Sequence, residues 1–222
     1  MPEPEKRATL ADQVSEATTS RLSVYLRCLD QLAEAGVATV ASNTLAARFG
    51  LNAAQIRKDL AHFGELGVRG VGYDVEKLRR HLREILGLDR TSRVGILGAG
   101  NLGLALADYS GFRDGFEVVA IFDTDPAKVG RRTRRGITVR HIYELRETVA
   151  REGIHIALIA VPATAAQDVV DLVVASGIKA ILNFAPGALR VPPHVKLKSV
   201  DFTVSLETLS FFLASDRDGN QP

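Results

Sequence analysis

The chain has 222 residues, 46% apolar and 24% charged, enough to bury one large core or two ordinary ones, which excludes an intrinsically disordered chain. A single cysteine excludes an intramolecular disulfide framework, and one cysteine with five scattered histidines argues against a structural zinc site. The formal net charge of +2 is too small to name a partner, so any case for nucleic acid rests on local placement.

Residues 1–19 read as a polar, flexible leader with no apolar stretch of the kind a secretory signal needs. No apolar run approaches the roughly 18 residues of a membrane span, so a cytoplasmic protein is expected. Ser20 is expected to cap a first helix, in which Leu22, Tyr25, Leu26, Leu29, Leu32 and Ala33 recur at helical spacing and which Gly36 ends. Cys28 lies among these positions and reads as a buried structural thiol. A short helix follows, capped near Ser42 and stopped by Gly50. Asn52 then caps a third helix over 53–63, with Ile56, Leu60 and Phe63 on one face. Helix, short helix, tight turn, helix is the helix-turn-helix order.

Four glycines among apolar residues at 64–73 predict a glycine-rich hairpin, or wing, and a fourth helix spans 75–86. Polar residues 87–92 mark a domain boundary. From Arg93 the period changes. Apolar runs at 94–97, 117–122, 155–161 and 179–184, and a last strand around 197–202, alternate with helical stretches at 101–109, 142–151, 163–176 and 206–214. The fold class is therefore α/β: a winged helix-turn-helix domain over 20–88, then a Rossmann-like, doubly wound parallel sheet over 92–204. A C-terminal helix occupies 205–216 and a tail 217–222. Leu206, Leu209, Phe211 and Phe212 make that helix too apolar to be left in water.

Gly98-Ala99-Gly100-Asn101-Leu102-Gly103 matches G-x-G-x-x-G between an apolar strand and a helix. The glycines permit a sharp turn and close approach to a pyrophosphate, placed at a helix N-terminus. Asp123, at the end of the second strand, is expected to accept hydrogen bonds from the adenosine ribose, favouring NAD over NADP. Val161 and Pro162 are assigned to the same site. The basic run 131–135 lies downstream and reads as a solvated loop or, alternatively, a phosphate contact.

In the third helix, Gln55, Arg57 and Lys58 point away from the apolar face and can enter a major groove. Arg and Gln suit base edges, and Lys58 suits phosphate. Arg69 sits at the hairpin tip, within reach of a minor groove or backbone. Ser42, Asn52, Gly70 and Tyr73 are counted with this DNA-facing set. A helical dimerisation module with solvated charges is the alternative. His141 enters a helix, His155 opens a strand and His194 follows a Pro-Pro turn; none lies at the carboxyl end of a predicted strand, and no substrate domain follows. A regulator rather than an enzyme is expected. An NAD-dependent oxidoreductase with an N-terminal dimerisation module, and a winged-helix sensor of another nucleotide such as CoA, remain open.

Several motifs in order resemble the Rex redox-sensing repressors: Ser20-Arg21-Leu22 with Tyr25-Leu26-Arg27, Gln55-Ile56-Arg57-Lys58-Asp59-Leu60 with Phe63-Gly64, and Gly67-Val68-Arg69-Gly70-Val71-Gly72-Tyr73. The likeness continues through Gly98 to Gly103, Ala105-Leu106-Ala107-Asp108-Tyr109, Phe122-Asp123-Thr124-Asp125-Pro126, Asn183-Phe184-Ala185-Pro186 and Val200-Asp201-Phe202. The resemblance implies a homodimer that holds a palindromic DNA operator with NAD+ or no ligand and releases it with NADH. It implies exchange of the C-terminal helix between subunits, a sensing role for Arg27, Tyr109 and Asp201, and a position near the nicotinamide for Tyr109 and for Asn183, Phe184, Ala185 and Pro186.

Overall fold

The first apolar stripe forms helix α1 (Glu16–Glu34) of the computed structural model, which describes residues 14–112 and 115–218. Its start corrects the expected cap. Ser15, not Ser20, accepts the Thr18 N–H at 3.1 Å, so residues 16–19 of the expected leader are helical, and residues 1–13 lie outside the described ones. The chain divides into two units, between Arg90 and Thr91.

In the first unit, α1 is followed by β1 (Thr39–Val40), α2 (Ser42–Phe49), α3 (Ala53–Ala61), β2 (Tyr73–Asp74) and α4 (Val75–Ile85). Ser42 opens α2 rather than capping it: Ala41 holds the cap position without a side-chain bond, and Gly50 closes the helix in the left-handed region. Asn52 does cap α3, its Oδ1 accepting the Gln55 N–H at 3.0 Å, but the helix ends at Ala61, two residues early. The core joins Leu22, Tyr25, Leu26, Leu29 and Leu32 to Leu45, Ile56, Leu60, Leu78 and Leu82, with the Cys28 thiol inside. That burial pushes the thiol pKa up.

The glycine-rich segment is less of a hairpin than its composition suggests. Val68 and Gly72 form one isolated bridge around a turn with Arg69-Gly70 at its centre, and Gly70 takes the φ of +82° that a type II turn needs at its third residue. The strand proper, β2, pairs instead with β1, Val40 opposite Tyr73. Glycines weaken strand pairing within the segment, and the partner comes from more than thirty residues upstream.

The second unit carries six parallel strands in the order β5-β4-β3-β6-β7-β8: β3 (Ser92–Leu97), β4 (Phe116–Asp123), β5 (Val139–His141), β6 (Ile156–Ile159), β7 (Ala180–Asn183) and β8 (Lys196–Ser199). Alternation sorts the faces. Leu97 and Phe122 pack toward α6 (Leu145–Glu152) and α7 (Ala163–Ala175), and Ile96 and Ile121 pack on the side of α5 (Asn101–Ala107). Strand order reverses between β3 and β6, the point at which doubly wound sheets bind ligands. Strand β5, only three residues long, escapes a reading by sequence pattern. The sixth strand stops at Ser199, and Phe202 opens the last helix, α8 (Phe202–Asp218), earlier than expected. Its Leu206, Leu209, Phe211, Phe212 and Leu213 are 60% or more exposed in the single chain. Among the described residues no helix is long and apolar enough to cross a membrane.

Candidate functional site

Helix α3 buries Ile56 and Leu60 and turns Arg57 and Lys58 to solvent. Between these faces lies Asp59, 4% exposed and saturated with donors. Arg21 forks onto it at 2.6 and 2.8 Å, the Tyr25 hydroxyl donates at 2.9 Å and the Gln55 amide at 2.7 Å. The Arg21 guanidinium holds the Asp59 carboxyl below the usual range against the opposing effect of burial, and the Tyr25 hydroxyl is pushed up to about 12, chiefly by burial. Gln55, expected to project freely, is thus half-buried and tied back to its own helix. The Arg57 guanidinium donates to Ser42 Oγ at 2.8 Å and Asn43 Oδ1 at 3.2 Å, joining α3 to the first turn of α2.

Arg69 and Gly70 crown the turn, exposed, flanked by exposed Val68 and Val71. Tyr73 is placed differently from the rest of the DNA-facing set. It is 9% exposed and lies in the core, its ring against Gly67, where an added Cβ would meet Tyr73 Cε1 at 2.7 Å. It supports the turn from beneath.

In the second unit the three glycines of the fingerprint have separate reasons. Gly98 sits at φ +105°, and a Cβ there would strike the Ala160 carbonyl oxygen; a Cβ on Gly103 would strike the Gly98 carbonyl oxygen. Gly100 has neither constraint: nothing lies within 4 Å of where its Cβ would stand. Backbone left bare where no protein atom demands it leaves room for a ligand. Asp123 closes β4 beside this loop. Its Oδ2 accepts the Ala99 N–H at 2.8 Å and the Lys128 ammonium at 3.0 Å, and its Oδ1 accepts the Asp125 N–H at 2.8 Å. Burial raises the carboxyl pKa, but the Asp125, Lys128 and Ala99 donors outweigh it and hold the group below the usual range. It is an ionised, acceptor-only group at neutral pH.

The other assigned loops follow the carboxyl ends of β6 and β7. Val161 and Pro162 follow Ala160, whose N–H bonds the Leu97 carbonyl at 2.8 Å, joining this loop to the glycine turn. Asn183 is fully buried and spends its side chain locally: Oδ1 accepts the Ala185 N–H at 2.9 Å, and Nδ2 donates to the Ala185 carbonyl at 2.8 Å and to Ser199 Oγ at 3.2 Å. It shapes the Phe184-Ala185-Pro186 loop from below. Phe184 stacks on Phe202 with centroids 6.3 Å apart, and Asp201 Oδ1 accepts the Thr203 N–H at 2.8 Å in the first turn of α8. Tyr109 stands apart, beyond the C-terminus of α5 and so at the opposite end of that helix from the glycines, 54% exposed and edge-on to Phe112. Arg27 is exposed on α1.

The expectation for the histidines needs one correction. His141 does close a strand at its carboxyl end, since β5 exists, and pairs in register with Asp123. Its ring Nδ1 accepts the Tyr143 N–H at 3.2 Å, capping the 3-10 turn Ile142–Glu144. The His155 ring accepts the Arg93 N–H at 3.2 Å, and His194 is exposed in the loop before β8. Sequence reasoning misses Lys128, Arg21, Tyr25 and the role of Asp59. No periodic signal marks Lys128, and in the sequence Asp59 stands only as part of a motif.

Comparison with known proteins agrees with both units. A family model described as "Putative DNA-binding protein N-terminus" matches residues 13–61, and one described as "CoA binding domain" matches 89–187. A redox-sensing transcriptional repressor Rex from Syntrophomonas wolfei is 52% identical over 203 residues, 91% of this chain and 96% of that protein. The Rex repressor of Carboxydothermus hydrogenoformans is 49% identical over 92% of this chain and 98% of its own. Among solved structures, RSP in complex with β-NAD+ and operator DNA superimposes with a TM-score of 0.88 at 39% identity, covering 94% of this chain and 99% of that one, and RSP with β-NADH gives 0.83, covering 95% and 97%.

Proposed function

Because this chain belongs to the Rex family of redox-sensing transcriptional repressors, we propose that its first unit holds a palindromic operator while NAD+ or no ligand occupies the second, and lets go when NADH binds. It is a DNA-binding regulator, not an enzyme, and its cofactor is NAD(H). The observation that carries the residue assignment is the convergence of four loops, 98–100, 123–125, 160–162 and 183–186, at the carboxyl ends of adjacent strands β3, β4, β6 and β7, with Gly100 bare in front of them. Asp123 takes the adenosine ribose, the glycine loop the pyrophosphate, and Val161, Pro162 and the loop built on Asn183 the nicotinamide end.

Arg57, Lys58, Arg69 and Gly70 meet DNA directly, with Ser42, Asn52 and Gln55 holding or extending that surface. A positive NAD+ ring and a neutral NADH ring present different charges, and the polar groups Arg27, Tyr109 and Asp201 read that difference. The apolar α8 is exchanged between two copies, which fixes the half-site spacing a dimer needs and lets a change of subunit angle release the operator. A switch from 1:99 to 99:1 requires differential ligand affinity of about 5.5 kcal/mol, which two cofactor sites can share. As a repressor without a described membrane-spanning helix, it works in the cytoplasm. The test is an anisotropy titration on a palindromic duplex at fixed salt: NADH lowers operator affinity and NAD+ does not, whereas equal curves with both cofactors refute the reading.

A further inference from the structure

Asp123 lacks the free lone pairs to hold both hydroxyls of a ribose. An ionised carboxylate offers about four lone-pair sites. The Ala99 N–H and the Lys128 ammonium fill both on Oδ2, at 2.8 and 3.0 Å, and the Asp125 N–H fills one on Oδ1 at 2.8 Å. A single acceptor site is left, on Oδ1, whereas the 2′- and 3′-hydroxyls of a ribose come as a pair. The side chain is 9% exposed and fixed by these donors. A second ribose partner is needed.

Lys128 stands where that partner would be. It belongs to the turn directly after β4: its N–H and that of Val129 bond the Asp125 carbonyl at 2.9 and 3.2 Å, and Asp125 Oδ1 accepts the Ala127 N–H at 2.9 Å. The turn brings the Lys128 ammonium back to Asp123, at the end of the strand. The lysine side chain is 35% exposed, and Asp123 is the ammonium's only partner among the described residues. Two of its three N–H groups are therefore free to donate.

The tip of the basic run 131–135 lies elsewhere. The Gly130 N–H bonds the Val139 carbonyl, the Val139 N–H bonds the Arg131 carbonyl, and Arg132 bridges Thr138, so the run forms a short hairpin. The two carboxylate oxygens of Asp108 accept the backbone N–H groups of Arg134 and Arg135 at 3.2 and 3.0 Å. That clamp ties the hairpin tip to the C-terminal end of α5, the end opposite the glycine loop. Lys128 is the cation that is held at Asp123.

We infer that Lys128 is a second ribose-binding residue, donating to one hydroxyl oxygen while Asp123 Oδ1 accepts from the other hydroxyl, and that Asp123 masks a cation able to hold a 2′-phosphate; this rests on the reading that Asp123 faces the adenosine ribose. The choice between NAD and NADP then belongs to the pair. With both present, the carboxylate repels a 2′-phosphate and neutralises the ammonium. With the carboxylate gone, the same ammonium meets the phosphate in a charge-assisted hydrogen bond.

The test titrates NADH and NADPH, by fluorescence, into the full-length wild type, Lys128→Met, Asp123→Ser and the double variant D123S/K128M. Lys128→Met should weaken NADH about tenfold, and Lys128→Arg, which keeps the charge, should recover most of that loss. Asp123→Ser should weaken NADH yet bind NADPH at least about tenfold more tightly than the wild type does, and the double variant should lose the gain. Added salt should erode the gain as well. Asp123→Asn serves in the same comparison, and melting midpoints establish that each variant is folded. Unchanged NADH affinity in Lys128→Met, with Asp123→Ser weakened, overturns the assignment of Lys128 and leaves that of Asp123 standing. A gain for NADPH that survives in the double variant overturns the masked cation, as does the absence of any gain. If neither Lys128→Met nor Asp123→Ser weakens NADH, the ribose lies elsewhere and the reading of Asp123 fails together with this one.

Discussion

Arg21 Nε and Asp59 Oδ2 lie 2.6 Å apart, binding the second turn of α1 to α3, the helix proposed to face DNA. Asp59 is buried and its four hydrogen bonds fill the lone-pair sites a carboxylate offers, so the pair sets how α3 is pitched while Arg57 and Lys58 stay free of the core.

Asp59→Ala should destabilise the first unit by about 1–3 kcal/mol, because it leaves the Tyr25 hydroxyl buried and unpaired, while Arg21, a third exposed, turns its guanidinium to water and Thr18. Tyr25→Phe should cost only about 1 kcal/mol, having removed one of the four bonds. Thermal unfolding checks both, and operator affinity should fall further for Asp59→Ala than for Gln55→Ala.

The same carboxyl predicts a pH dependence. Its folded pKa is depressed, so its contribution is fully present above the ordinary value of about 3.9 and is lost as pH falls through the lower folded value. Wild-type stability should decline below about pH 4 more steeply than that of Asp59→Asn, which has no such proton to bind. Parallel acid profiles for the two proteins would remove Asp59 from the account.

The fingerprint glycines should separate by substitution. Gly98→Ala and Gly103→Ala force a Cβ onto backbone oxygen and should destabilise the second unit by about 2 kcal/mol or more. Gly100→Ala meets only open space and should cost less than about 1 kcal/mol, yet weaken NADH binding at least about tenfold. Unfolding midpoints and NADH fluorescence titrations distinguish the two behaviours; unchanged NADH affinity in Gly100→Ala would place the pyrophosphate elsewhere.

Asp123→Ala removes the acceptor shared by Ala99, Asp125 and Lys128 as well as the proposed ribose contact. NAD+ and NADH should both weaken, by about 10- to 100-fold, while ligand-free operator binding is retained. Calorimetry with each cofactor and a gel shift without cofactor give the two readings.

Arg57→Ala should lose about 1–3 kcal/mol of base discrimination, since it removes the guanidinium that can fork onto a guanine edge and that bonds Ser42 and Asn43. A loss of equal size on every sequence would assign Arg57 to phosphate instead.

What the sequence by itself determined is whatever is local or periodic. The apolar stripes of α1, α3 and α4, the Asn52 cap, the change of period at Arg93 and the G-x-G-x-x-G turn each declare themselves within a dozen residues, because helix and strand spacing is short-range physics. The tertiary structure alone decided what depends on partners far along the chain. It paired β2 with β1 rather than within its own hairpin, found the three-residue β5, turned Tyr73 inward beneath Gly67, and spent the side chains of Asn183 and Asp123 on backbone near the cleft. It also turned the run 131–135 from a string of charges into a clamped hairpin, through an aspartate more than twenty residues upstream. Such contacts leave no periodic trace, because a buried polar group must find its partner in space rather than in sequence.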